Sequence, residues 1–389
     1  MTYFLLGLAN STPAEFTLRG LMRFGSWEVG VIKRLPIPQA SGKQMQYISQ
    51  LAQSIHDAKR EWDRGNELST SFERPWVLRI PAVKSFSRAL DSVLAVEVEA
   101  EEHIQTIYND LNIESYRLYG IPDATRVHIE QNLGDRPPEL LWPQMAGKTD
   151  EQKRMEHVWR LLSYAVKRVA EMDEDGIVPL APLSGEASLL DRVNEEIAAL
   201  FPEQDVNQVE VEIANELKRR VKGYKRALSI GEWLDNIYFD YHASLYKKRP
   251  IIWHIASSQG SSSSAFGALC HYHKFDANRM AKLRAGYLRD AIEVFRREAA
   301  LADKEHRAED RIEWQAKLEE AQGLDQRLQA VQEGHHEGAD GGENDYRILT
   351  PWKSPEECPK GWAPDIDDGV KVNIAPLQKA GVLRIAKVV

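Results

Sequence analysis

The sequence predicts a mainly α protein with small β elements (α+β): amphipathic helices, one β-hairpin, a C-terminal helical hairpin and an extended tail. Three observations carry this reading. Apolar residues recur at helical spacing through most of the chain, and Ser/Thr caps and prolines punctuate those runs. One stretch, 247–276, instead holds two short strand-like runs around a Gly/Ser linker.

Taken in order, Thr12-Pro13-Ala14-Glu15 has the form of a capping box with proline at the first helical position, so a helix is expected over about 13–23. WEVGVIKRLPIP (27–38) reads as a short strand ended by prolines. From Ser41, residues Met45, Ile48, Leu51, Ile55, Ala58 and Trp62 keep helical spacing, and 65–81 form an extended connection. A long helix follows with Phe86, Leu90, Val93, Val96, Ile104, Ile107 and Leu111 on one face; its acidic run 96–102 is read as facing solvent. Residues 120–148, rich in Pro, Gly and Asp, form a linker with one short helix. Thr149 opens the next helix, with Val158, Leu161, Leu162, Ala165, Val166 and Val169 inward, and Asp-Glu-Asp-Gly at 173–176 ends it.

IVPLAPLS (177–184) is extended, and helices are expected over 188–201, 206–222 and 229–246, the last opened by the capping box Ser229-Ile230-Gly231-Glu232. PIIWHIAS and AFGALCHYH pair as a β-hairpin within 250–272, its tip exposed, and Asp276 caps a helix running to about Glu305. In 284–333, Leu288, Ile292, Phe295, Ala299 and Ala302 make one seam, and Trp314, Leu318, Ala321, Leu328 and Val331 another. These seams are too short for a coiled coil, but two short apolar seams can bury one another in an antiparallel helical hairpin that turns within 303–311. The loop 334–345 and the tail 346–389, with five prolines, are expected as a flexible loop and an arm packed back over the helices. This divides the chain into 1–64, 65–148, 149–275, 276–333 and 334–389.

A chain of 389 residues can bury the cores of two or three domains. The two cysteines, Cys270 and Cys358, make no disulfide framework, so a reducing cytoplasm is expected. No apolar run approaches the ~20 residues of a membrane span, so no membrane partner is expected. The opening MTYFLLGLAN lacks the basic start of a signal peptide. A net charge of −9 argues against a nucleic-acid footprint over the whole surface, yet the positive charge is clustered. Lys218, Arg219, Arg220, Lys222, Lys225, Arg226, Lys247, Lys248 and Arg249 form the candidate surface for a DNA backbone; taken alone, such a run is more often a solvated helix face.

Cys270, His271 and His273 lie close in sequence, with His242 and His254 nearby, and in a strand 271 and 273 would share a face as two metal ligands do. No second pair stands at finger spacing, so a packed core of hydrogen-bonded histidines is the preferred reading and no metal is assigned. His335-His336 sits in a polar loop and reads as solvated. Asp365, Asp367, Asp368 and Gly369 open like a calcium loop but lack the closing glutamate, and read as a turn. Trp233, Tyr238, Phe239, Tyr241 and Tyr246 read as mostly core, with stacking on nucleic acid as the minority reading.

Several phrases carry a family likeness. They are Lys248, Arg249, Pro250, Ile251 and Trp253, then Phe266, Ala268, Leu269, Tyr272 and His273; GLANSTPAEFTLRG with 27–38; TIYNDLNIESYRLYGI (106–121); and APDIDDGVKVNIAPLQKAGVL (363–383). In this order they resemble the C-terminal region of large adenine-specific DNA methyltransferases, the type IIG restriction-modification enzymes and the methyltransferases of the prokaryotic BREX and DISARM phage-defence systems. The resemblance makes residues 1–64 the end of a target-recognition-like region, and Met1 falls where the family's longer sequences are already under way. It implies S-adenosylmethionine in the family's catalytic half, and as partners duplex DNA, a methyltransferase catalytic domain or subunit, and other defence proteins.

Methyl transfer to an adenine amine needs a Gly-rich loop after a strand for the methyl donor and an Asn/Asp-Pro-Pro-aromatic loop for the flipped base. The one Pro-Pro here is Arg136-Pro137-Pro138-Glu139, and the glycine cluster 338–342 follows no apolar strand. No catalytic or cofactor-binding residue is therefore assigned, and whether the chain is itself an enzyme stays open. The leading expectation is a DNA-recognition and scaffold portion. The alternative is a helical protein-interaction subunit of a defence complex that does not touch DNA; a hydrolase built on the histidines is weakest, having no nucleophile or metal set.

Overall fold

The computed structural model describes residues 1–22, 29–80, 85–134, 140–183, 185–217, 228–247, 250–260, 264–276, 278–335 and 374–386. Contacts divide the chain into two units, Met1–Val83 with Arg88–His157, and Lys84–Ser87 with Val158–Val389. The architecture is mainly helical with one small antiparallel sheet, the α+β class expected.

The first unit contains α1 (Thr2–Ala9), α2 (Thr12–Leu21), a single turn α3 (Val29–Ile32), α4 (Gly42–Asp63), nearly all of α5 (Phe86–Leu118), α6 (Asp123–Leu133) and the start of α7 (Asp150–Met172). A reciprocal capping box starts α4: Gln44 N donates to Ser41 Oγ at 3.3 Å, and Ser41 N to Gln44 Oε1 at 3.0 Å. Phe4, Leu8, Ile48, Leu51, Tyr108 and Leu111 form one core. Gly7 makes this approach possible, because a Cβ there would lie 3.0–3.2 Å from Ile48, Ala52 and Leu111. A second core gathers Trp62, Val93, Ile104, Leu141 and Trp142. Trp76 stacks on Trp62 at 4.8 Å and donates its Nε1–H to the Trp62 carbonyl at 2.8 Å.

Several local expectations are corrected in this unit. Within 27–38, residues 29–32 form a helical turn and not a strand, while 23–28 lie outside the described residues. A strand needs a partner, and Val31 instead packs beside Ala14, Leu18 and Leu35. The capping box expected at Thr12 does not form: Ser11 is the N-cap, its hydroxyl turns back to Leu8 O at 2.7 Å, and Thr12 N donates to Asn112 Oδ1 at 2.7 Å. Glu97 of the acidic run is only 1% exposed and pairs with Lys153 Nζ at 2.9 Å. Burial pushes its carboxyl up and Lys153 opposes that. Leu141 and Trp142, within the stretch read as a linker, are core residues.

The second unit holds the rest of α7, β1 (Ile177–Pro179), α8 (Leu189–Leu200), α9 (Val206–Leu217), α10 (Ile230–Asn236), α11 (Tyr238–Leu245), β2 (Ile252–Ala256), β3 (Gly267–His271), α12 (Arg279–Lys282), a π-helical turn (Leu283–Leu288), α13 (Arg289–Lys304), α14 (Ala308–Glu333) and α15 (Ala375–Lys379). The expected hairpin is β2–β3, in antiparallel register with Trp253 opposite Cys270 and Ile255 opposite Ala268. β1 adds to its other side, so β3 is central in the order β1-β3-β2. An antiparallel bridge joins Ile255 to Leu383, with Ala256 N donating to Val382 O at 3.2 Å and Arg384 N to His254 O at 3.0 Å.

Alternation sends Trp253, Ile255, Ala268 and Cys270 into one core with Leu283, Leu288, Ala321, Leu324 and Leu328. The opposite face, with Ile252 and His254, meets α11: Phe239 packs edge-on to His254 at 5.7 Å, and Ile252 N donates to His242 Nε2 at 3.1 Å. The sheet is therefore buried on both faces. The helical hairpin forms as expected: α13 and α14 are separated at Glu305–Arg307, where His306 takes φ +57°. Leu288, Ala299, Ala302, Leu318, Ala321, Leu328 and Val331 are buried along its seams, and Phe295 stacks on Trp314 at 6.0 Å. The expected helix 229–246 keeps its Ser229–Glu232 capping box but breaks at Ile237 into α10 and α11. Trp233, Tyr238, Phe239 and Tyr241 are buried, as the core reading expected.

Candidate functional site

Of the nine basic residues expected to contact DNA, Lys218, Arg219, Arg220, Lys222, Lys225, Arg226, Lys248 and Arg249 lie outside the described residues. Lys247 closes α11 with a left-handed backbone, φ +52°, its N–H donating to Ser244 O at 3.1 Å. Asp365, Asp367, Asp368 and His336 also lie outside.

The first unit carries a cationic cleft that the sequence did not single out. One face of α4 supplies His56, Lys59, Arg60 and Asp63, and the facing loop supplies Ser69, Thr70 and Ser71. Residues at i, i+3, i+4 and i+7 share a helix face, so the spacing that made the apolar seam of α4 also made this polar one. The cleft holds about 530 Å³, and Leu6, Gly7, Ala52 and Leu111 also line it. Tyr108 lines it and donates its hydroxyl to Asn10 O at 2.9 Å; Tyr3 meets the His56 ring edge-on at 5.5 Å. The loop is preformed, because Ser71 N donates to Ser69 Oγ at 3.1 Å. Two fixed cations, one carboxylate and three hydroxyls make a lining suited to a sugar-phosphate backbone, which proteins hold with Lys, Arg, Ser and Thr.

The histidines gather around the sheet of the second unit. His242, His254 and His271 are buried, and burial, the largest cause in each, holds them neutral, at about 3, about 3 and about 4. His271 ends β3 and Tyr272–Lys274 form a 3-10 turn, so 271 and 273 do not share a strand face. Among the described residues no group of three or more His, Cys, Asp or Glu side chains is placed to hold a metal ion. His242 accepts the Ile252 N–H, but His254 Nε2 and both ring nitrogens of His271 have no hydrogen-bond partner among the described residues. Cys270 is a free, buried thiol that burial pushes well up.

His254 lines a cavity of about 240 Å³ together with Leu180, Asp235, Phe266, Gly267, Phe295 and Arg384. Arg384 is fixed there by the Asp235 and Asn236 carbonyls at 2.7 and 3.0 Å. Gly267 lies directly across from Ala256, on the same sheet face as His254. Sequence reasoning placed His254 in the core; its missing partner depends on tertiary neighbours that periodicity does not reveal.

The comparisons with known proteins point to one kind of protein. The chain is 22% identical over 221 residues to the adenine-specific methyltransferase BrxX of Escherichia coli O9:H4 (strain HS), covering 53% of this chain and 18% of that protein. It is 30% identical over 110 residues to the adenine-specific methyltransferase PglX of Lacticaseibacillus casei (strain Zhang), covering 28% of this chain and 9% of that protein. The relation is distant and partial. The matched segments span under one fifth of either relative's length. No family model matches the chain. Among the described residues no helix is long and apolar enough to cross a membrane.

Proposed function

We propose that this chain is a DNA-recognition and scaffold portion of an S-adenosylmethionine-dependent adenine-N6 DNA methyltransferase of a phage-defence or restriction-modification system, working in the cytoplasm. The observation that carries the reading is the 221-residue likeness to an adenine-specific methyltransferase of which it covers 18%. The cationic cleft of the first unit supports it, since Lys59 and Arg60 stand beside hydroxyls of the kind that hold phosphates. In this reading a methyltransferase catalytic domain or subunit supplies the methyl donor and the flipped-base loop, and this portion holds the duplex and part of the specificity. The clustered basic residues 217–226 and 246–249 supply further positive charge.

Fluorescence anisotropy with a labelled duplex, repeated over a salt series, tests it. Phosphate contact makes log affinity fall linearly with log salt, at a slope of roughly −0.9 per phosphate neutralised. Lys59→Ala with Arg60→Ala should flatten that slope by about one to two such contacts while the fold is kept. Undetectable binding at low salt, with the protein folded, would sink the reading and favour the protein-interaction subunit.

A further inference from the structure

We propose that the cavity beside His254 binds a neutral, planar nitrogen heterocycle carrying an amino group, of the size of a single nucleobase. The inference stands independently of whether the chain holds duplex DNA.

A buried polar atom is nearly always satisfied, and one left open deserves an explanation. His254 is 4% exposed, its Nε2 has no partner among the described residues, and it lines the cavity. Gly267 lets the ring and a wall residue pack closely at this end of the cavity: a Cβ there would lie 3.2 Å from His254 Nε2 and 2.6 Å from Leu180 Cδ1, so a side chain would displace one or both. Leu180, Phe266 and Phe295 give apolar walls, and Asp235 stands exposed at the mouth.

Size and polarity narrow the occupant. A cavity of about 240 Å³ falls below the roughly 300–1,000 Å³ that drug-sized ligands occupy, so it admits one fused ring system and not a whole nucleotide cofactor. A carboxylate at the mouth accepts hydrogen bonds, and the neutral imidazole either donates or accepts at Nε2 according to tautomer. An amino group beside a ring nitrogen, as in adenine or cytosine, offers one donor to Asp235 and one acceptor to a His254 N–H. Arg384 is held by backbone carbonyls and needs no anion from the ligand. That arrangement suits an uncharged ring better than a phosphate.

Saturation-transfer NMR on the full chain tests this, with adenine, cytosine and uracil as probes. Adenine and cytosine should give saturable signals with Kd of roughly 0.1–1 mM, and uracil a weaker one. His254→Leu should lower adenine affinity by about tenfold or more, since it removes the unpartnered buried polar atom offered to the ring. Asp235→Asn keeps a residue exposed and leaves the fold intact even if the core variant does not fold. It should weaken adenine several-fold and improve uracil, because an amide can donate where a carboxylate cannot. Displacement of adenine by the single strand TTATT would identify a base carried on nucleic acid, and no displacement a free base. No saturable adenine or cytosine signal, or unchanged adenine affinity and base preference in Asp235→Asn, would overturn the proposal.

Discussion

The Tyr287 hydroxyl donates to Asp175 Oδ2 at 3.0 Å, and the Lys282 ammonium lies 2.6 Å from the same oxygen. Residues five apart on an α-helix point about 140° away from each other. The π-helical turn Leu283–Leu288 between them hydrogen-bonds i→i+5 and so brings both to one carboxylate. The other oxygen, Asp175 Oδ1, accepts the Ile177 N–H at 2.8 Å, which ties the start of β1 to the same group.

Two substitutions measure this junction by urea denaturation. Tyr287→Phe removes one hydrogen bond and should cost about 1 kcal/mol, because Lys282 still compensates the carboxylate. Asp175→Ala strands a buried tyrosine hydroxyl and a strand N–H together and should cost about 3 kcal/mol or more. Equal effects of the two would mean that the carboxylate is not the hub.

Acid should unfold this protein well above the carboxylate range. His242, His254 and His271 are held to about 3, about 3 and about 4, whereas in the unfolded chain each titrates near 6.5. The unfolded state then binds more protons than the folded state between those values, so stability is full above about pH 6.5 and falls as pH drops. Each buried histidine contributes a loss approaching 1.4 kcal/mol per pH unit below that point. Urea midpoints taken from pH 7.5 down to 5 should decline from about 6.5; a flat profile to pH 5 would show that these rings are protonated within the fold.

Glycine positions separate crowding from backbone effects. A Cβ at Gly65 would fall 2.0 Å from Trp76 Cδ1, so Gly65→Ala must push the indole off Trp62 and should cost roughly 2–3 kcal/mol. Gly20, in α2, meets nothing within 4 Å, and Gly20→Ala should stabilise by up to about 1 kcal/mol through helix propensity. Thermal melts of the two variants should therefore move in opposite directions.

The turn of the helical hairpin offers a matched test. His306 holds φ +57°, a conformation that costs a side chain about 1 kcal/mol and glycine almost nothing. His306→Gly should stabilise by a few tenths of a kcal/mol after the added freedom of the unfolded chain is subtracted, and His306→Val should destabilise by about 1–2.

What the sequence revealed follows the range of each signal. The seams of α13 and α14 were legible because their two faces repeat at helical spacing, and β2–β3 because both strands and their linker are contiguous. β1 was read only as extended: three residues show no period, and its partner β3 is remote in the chain. Glu97 was misread because its burial depends on Lys153 from another helix. The π turn is invisible for a related reason, since the apolar positions Leu283, Tyr287 and Leu288 suit an ordinary helix equally well. The cleft on α4 is not legible in the sequence, because the loop 69–71 that lines it with His56, Lys59 and Arg60 comes close only in the fold.

The C-terminal segment rests on one guanidinium. Arg327 of α14 donates Nε to Gly381 O at 2.9 Å and Nη2 to Ser257 O at 2.7 Å, joining the helical hairpin, the end of β2 and the segment after α15. Gly381 takes φ +75°, and a Cβ there would lie 3.0 Å from Arg327 Cδ, so the turn needs both the conformation and the space. Leu377, Val382 and Leu383 are fully buried beneath it, which sets their release as a large event and not a fraying of the end. Arg327→Leu keeps the stem's packing but removes the donor to two partly buried carbonyls, and should cost about 1–2 kcal/mol. Its effect should be local: limited proteolysis should cut after Lys379 or Arg384 several-fold faster, while the urea transition of the remaining fold shifts little. Unchanged cleavage at those two sites would show that Leu377, Val382 and Leu383 hold the segment without the arginine.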